Sequence, residues 1–214
     1  LFGLGELAAS EGVRIQTHCS EGDWEHGHVL DRCGTTDTIA LDHFGLMARS
    51  TVLAHGNFMS DDDLRLAMSV GAGVAHCPLS NTYFADAVFP ARRAIDIGTH
   101  VGLGTDIAGG ASPGLLPNAA HAVSVSRHLS DGVDTSLAPE DRGVAGSRIT
   151  ITEAFHMATA GGAALLDAPI GLIEVGRRFD AFAVQIGRAG SGLRRWDDVD
   201  DDTSRESNQG GSNR

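Results

Sequence analysis

Short apolar runs alternate with longer stretches of helical periodicity along most of this chain. Four runs read as strands, at residues 13–18, 51–54, 73–76 and 100–104, each too short for a helix and each bounded by turn-forming residues. Repetition of strand, loop and helix predicts a parallel sheet, whose strands are short, apolar and buried on both faces. Such sheets keep their chemistry at the C-terminal ends of the strands. Ser60 followed by Asp63 predicts a capping box that opens a helix running through Val70, and Pro90, Ser112 and Thr150 stand near other helix starts or loop ends.

The two ends of the chain break this rhythm. Residues 1–10 read as the second half of an amphipathic helix with no initiator Met and no cap before it, so a cut N-terminus is the expectation. Residues 171–185 (GLIEVGRRFDAFAVQ) read as a turn, a Gly-Arg pair and a closing strand, which suggests a small accessory β element. From Trp196 onward the sequence is acidic and then rich in Ser, Asn and Gly, with almost nothing to bury, which predicts disorder. The expected organisation is therefore a strand-helix portion at 1–168, an accessory β element at 169–190 and a tail at 191–214.

Composition narrows the function classes. A chain of 214 residues, 42% apolar, can bury a sizeable core and form one domain or at most two. A formal charge of -12, with 16 scattered Lys and Arg residues, argues against a nucleic-acid partner and for a small substrate. No apolar run is long enough to span a bilayer and no secretory leader is visible, so no membrane partner is expected and a cytoplasmic location is the default. Cys19, Cys33 and Cys77 are odd in number and widely spaced, as expected of reduced thiols.

The predicted strands end in His18 (QTHCSE), His55 (LAHG), His76 (AHCP) and, just beyond the fourth, Asp106 (GLGTD). One histidine after a strand is commonly structural; four polar residues in register suggest a site. Zinc takes imidazole nitrogen and carboxylate oxygen, which suits His18 and Asp106 as ligands. Glu21, three residues past His18, is placed to reach a metal-bound water and shuttle protons. His55, with Gly56 to turn the backbone, could donate a hydrogen bond to a hydroxide or oxyanion. His76, in the HCPLSN turn, is read as structural, shaping the rim with Asn81. Gly102-Leu-Gly104 lacks the third glycine of a dinucleotide fingerprint, and no phosphate-binding loop is present, so nucleotide cofactors are not implied. A serine triad through Ser80 lacks a Gly-x-Ser-x-Gly elbow.

Taken in order, QTHCSEGDWEH, TVLAHGNFMSDDDL, VAHCPLSN and VGLGTDIAGGASP resemble motifs of the amidohydrolase superfamily, and most closely its guanine deaminase branch. The resemblance runs from about residue 13 to about residue 180, and TDIAGGASP is its most specific piece. It implies an α/β fold, a partial (β/α)8 TIM-type barrel comprising about the last four strand-helix units. It also implies one zinc per subunit, with iron possible in its place, and a homodimer when complete. By the same resemblance His18 is the strand-five ligand, Glu21 the proton shuttle, His55 the strand-six histidine and Asp106 the strand-eight aspartate. The implied reaction is guanine plus water to xanthine plus ammonia.

The sequence also departs from the family. A His-x-His pair on the first barrel strand supplies two further ligands there, and none of that origin is present. His26-Gly27-His28 has the spelling but follows the strand-five motif in a polar helical stretch, where it is read as solvent-facing. Without the first-strand pair this chain on its own is expected to be inactive, and because the arginine that grips guanine in the family also lies before Leu1, the assignment of guanine rests on the branch resemblance. Two alternatives stand beside the deaminase. One is a related amidohydrolase acting on a pterin, an 8-oxopurine or a chlorotriazine; the other is a non-catalytic half-barrel that persists by pairing with another chain.

Overall fold

A computed structural model describes residues 1–49 and 51–183. Residues Leu1–Phe179 cluster as one compact unit; of a second, Asp180–Arg214, only the first four residues are described. The elements in chain order are α1 (Phe2–Glu11), β1 (Ile15–Cys19), α2 (Asp23–Cys33), α3 (Asp37–His43), β2 (Thr51–His55), α4 (Asp61–Val70), β3 (Gly73–His76) and α5 (Pro78–Phe84). They continue with α6 (Ala91–Ile97), β4 (His100–Leu103), α7 (Leu115–Asp131), α8 (Ile151–His156) and α9 (Gly162–Leu165). A π turn at Met157–Gly161 joins the last two helices. The four strands form one parallel sheet in the order β1-β2-β3-β4, as the alternating pattern predicts and consistent with the partial barrel that the resemblance implies.

Register brings the strand ends together. Cys19 pairs with His55, Ala54 with Ala75 and His76 with Leu103, so the C-terminal ends of all four strands lie along one margin of the sheet. Every residue of β2 is buried, as expected of a central parallel strand. Strand β1 departs from the expectation: it is a sheet edge, and Gln16 and His18 on one face are exposed. The core forms where Leu53 of β2 and Val74 of β3 meet Leu64 and Ala67 of α4, Phe89, Ala94 of α6 and Met157, all fully or nearly fully buried.

Helix α4 begins as its sequence predicts. Ser60 accepts from the Asp63 N–H while the Asp63 carboxylate accepts from the Ser60 N–H, and three aspartates lie in the first turn, where the helix dipole favours negative charge. Thr150 and Glu153 repeat the device at α8. In α7 the buried positions Asn118, Ala119, Ala122, Val125 and Ser126 trace one helical stripe. Helix α1 differs from the amphipathic reading, since it buries only Gly5 and Ala8 while Phe2, Leu4 and Leu7 are exposed. A side chain at Gly5 would collide with the Phe44 carbonyl, so the small residues make the close approach there. Over residues 171–183 the chain forms turns and bends without a strand; the remainder of the expected accessory element and the whole expected tail lie outside the described residues.

Candidate active site

Three strand-end or post-strand residues carry left-handed backbone angles that non-glycine residues seldom adopt: Ser20 (φ 51°), His55 (φ 75°) and Asp106 (φ 45°). Such strain costs of order 1–3 kcal/mol per residue and gathers where geometry serves a site. Ser20 turns the chain directly after β1, and its hydroxyl donates to Asp37 at 3.0 Å. That turn delivers Glu21 back toward the strand it has just left.

The result is a compact set of ligand atoms. One atom each from His18, Glu21 and His55 lies within 4.8 Å of the others, and this is the group of that kind found among the described residues. Glu21 Oε2 is 3.8 Å from His18 Nδ1 and 3.7 Å from His55 Nε2. The two imidazoles meet edge to face with centroids 5.1 Å apart. Their settings differ sharply: the His18 side chain is 67% exposed, on the open face of β1, and that of His55 is 1% exposed. Two imidazoles and a carboxylate are the donor chemistry that suits zinc or a similar divalent ion.

Asp106 is not in that set. It follows β4, and its carboxylate accepts a hydrogen bond of 2.5 Å from Ser80. The glycines of the TDIAGG segment let the loop fold back over it: a Cβ at Gly109 would stand 2.5 Å from Asp106 Oδ2, and one at Gly110 would stand 2.1 Å from the Thr105 carbonyl. Ser80 is fully buried with its hydroxyl donated to a carboxylate, which is no arrangement for a nucleophile.

His76 is not at the rim where the sequence reading put it. It is fully buried, tilts against Phe89 at 5.3 Å, and is pushed down to about 3 by burial, with His121 and His55 adding smaller contributions. Asn81 is not at a rim: it is fully buried, and its Oδ1 lies 2.8 Å from His55 Nδ1. His26 is likewise not simply solvent-facing, since its Nδ1 lies 2.7 Å from the buried Asp37 carboxylate and its ring stacks on Phe58. His28, by contrast, is exposed beside Trp24. Cys19 and Cys77 are buried free thiols, both pushed up to about 12 mainly by burial. A hollow of about 550 Å³ against Arg92, Arg93 and Val144 contains none of the clustered imidazoles or the carboxylate, so hollow size does not mark this site.

With this geometry in hand, comparison with known proteins is decisive for the family. A model of the amidohydrolase family matches residues 1–204. The chain belongs to that family. This amidohydrolase is 33% identical over 190 residues to a probable guanine deaminase of Schizosaccharomyces pombe, covering 87% of the chain and 34% of the relative. It is 34% identical over 185 residues to the guanine deaminase of Mus musculus, covering 85% of the chain and 38% of the relative. Its fold is similar to that of guanine deaminase from C. acetobutylicum with bound guanine, with a TM-score of 0.71, 27% identity, and coverage of 82% of this chain and 40% of that one. The chain thus spans between a third and two fifths of the length of these proteins.

Strand-end reasoning found the residues that touch each other but missed those that hold them. Asn57, Asn81, Ser80 and the Ser20-Asp37-His26 cluster supply the hydrogen bonds behind His55, Asp106 and the Glu21 turn. Two asparagines, each within a few residues of a strand-end histidine, were the available signal, because a buried amide must find partners for both its ends.

Proposed function

We propose that this chain contributes the strand-end acid-base and metal-binding residues of a hydrolytic aminopurine deaminase, converting guanine and water to xanthine and ammonia. The observation that carries the reading is the meeting of His18, Glu21 and His55 within one 4.8 Å group at the C-terminal margin of a parallel sheet. The named relatives and the motif TDIAGGASP support guanine as the ring.

In this reading His18 and Asp106 would hold one zinc ion, their imidazole nitrogen and carboxylate oxygen being donor types that suit it. When bound, the ion supplies Lewis-acid activation of the attacking water. Glu21, half-buried beside both imidazoles, takes the proton that the water gives up, passes it to the purine ring nitrogen, and delivers a second to the departing amine. His55 keeps Nε2 toward Glu21 and, when that nitrogen holds a proton, steadies the charge that develops at the attacked carbon's oxygen. Water and guanine balance xanthine and ammonia with no further reactant. A cytoplasmic homodimer acting in guanine breakdown completes the proposal.

The test is substrate turnover by the protein that the complete reading frame containing these residues encodes. Ammonia release from guanine at a kcat/KM well above that for pterin and 8-oxopurine substrates supports the reading. Preferential turnover of a pterin, an 8-oxopurine or a chlorotriazine replaces the substrate assignment, and turnover of none refutes the deaminase.

A further inference from the structure

Behind the site runs a chain of hydrogen bonds whose direction is fixed from one end. The backbone carbonyl of Glu21 can only accept, so the Asn57 side chain 2.8 Å away must present Nδ2 to it. Asn57 then has Oδ1 facing the other way, where Asn81 Nδ2 donates to it at 2.7 Å. Asn81 in turn presents Oδ1 to His55 Nδ1 at 2.8 Å. An amide oxygen is no donor, so His55 carries its proton on Nδ1. Asn57, Asn81 and His55 are all buried; reversing Asn57 would set its oxygen against the Glu21 carbonyl and its Nδ2 against Asn81 Nδ2, and reversing Asn81 would set its oxygen against Asn57 Oδ1.

We propose that Asn57 and Asn81 are positioning residues that require the Nδ1 proton on His55, so that the neutral form of the ring is a single tautomer and Nε2, 3.7 Å from Glu21, is the nitrogen left to the site. The inference deepens the deaminase reading and rests on it for its purpose, although the hydrogen-bond chain itself needs neither metal nor substrate. It corrects the donor role expected of His55: in the neutral ring Nε2 accepts, and only an imidazolium can donate toward a developing oxyanion. It also explains why a deep asparagine stands five residues beyond His76. Asn81 Nδ2 lies 3.5 Å from His76 Nδ1, so one amide serves both neighbouring strand ends. Because the chain starts on the Glu21 backbone, the carboxylate-bearing turn after β1 and the imidazole at the end of β2 are set in one frame.

The test is nitrogen NMR of this chain labelled with 15N-histidine, at about pH 8.5, where an ordinary imidazole is neutral. His55 is assigned by the signals lost in His55→Gln. The expected spectrum has Nδ1 in the protonated range and Nε2 in the unprotonated range, favoured by at least about tenfold, the ratio implied by one lost buried hydrogen bond. Asn81→Leu should abolish that preference, and Asn81→Asp, whose carboxylate still accepts, should restore it. Asn57→Leu, which frees the Asn81 amide to turn, should weaken it. A wild-type His55 protonated on Nε2 alone overturns the proposal, even if no variant folds. So does an unchanged Nδ1–H signal in Asn81→Leu. Failure to turn over guanine would leave this result standing, which separates the two claims.

Discussion

Gly56 follows His55 at φ 67° and sits over the core beneath the site, so its substitution measures how tightly that margin is built. A Cβ there would stand 3.0 Å from Val74 Cγ1, 3.1 Å from Met59 Sδ and 3.2 Å from Phe89 Cε2. All three neighbours are at most 1% exposed and packed into the central cluster, so none can swing into solvent. Gly56→Ala therefore carries two costs. A left-handed backbone on a residue with Cβ costs ~1–2 kcal/mol, and overpacking a filled core costs ~1–3 kcal/mol. The total is about 2–5 kcal/mol. Gly12 provides the control, because it has nearly the same φ, 62°, and nothing within 4 Å of its would-be Cβ. Gly12→Ala should thus cost the backbone share alone, ~1–2 kcal/mol. Urea titrations followed by circular dichroism read both. At an m-value of ~2 kcal/mol/M, the Gly56→Ala midpoint should fall by about 1–2.5 M, clearly further than that of Gly12→Ala. Equal shifts for the two variants would refute the packing argument and, with it, the tight seat assigned to His55.

The remaining predictions address single groups. His76 is pushed down to about 3 from an ordinary value of 6.5 by burial, with His121 and His55 adding to it, so the unfolded chain binds a proton between those values that the folded chain refuses. Its contribution to stability is present above about pH 6.5 and is lost as pH falls toward 3, at about 1.4 kcal/mol per pH unit; urea midpoints at pH 7 and 5 should differ less in His76→Gln than in wild type, and identical pH dependences contradict this. Ser60→Ala removes the cap of α4 and should cost ~1 kcal/mol in the same titration, with no change in stability contradicting the capping role. In the native chain iodoacetamide should modify the exposed Cys33 while sparing Cys19 and Cys77, whose buried thiols are pushed up to about 12; mass spectrometry showing early labelling of either buried thiol contradicts that assignment.

The fold was legible because parallel strands must be short, apolar and regularly spaced, and each of the four sits within two residues of where periodicity predicts it. The Ser60-Asp63 cap was legible because its signal is local. His18, Glu21 and His55 were legible as a group because register puts strand ends side by side, a rule that needs no side-chain geometry. What local pattern cannot carry is the direction of a buried amide. Asn81 read as a rim residue because asparagine after a proline turn is ordinarily exposed, and only its hydrogen bonds to His55 and Asn57, long-range in sequence, show that it is sealed beside them. His26 read as solvent-facing because α2 is polar along its length, while Asp37, its partner, is eleven residues away at the start of the next helix. The outward apolar residues of α1 escape periodicity for a similar reason, since which stripe is buried depends on Gly5 meeting the Phe44 carbonyl.

The central claim is that Glu21 moves protons in guanine hydrolysis, and the most direct measurement is steady-state kinetics of Glu21→Gln in the protein encoded by the complete reading frame. The account predicts kcat for ammonia release from guanine reduced ~10²–10⁴-fold with KM little changed. A kcat within a factor of two or three of wild type would contradict it.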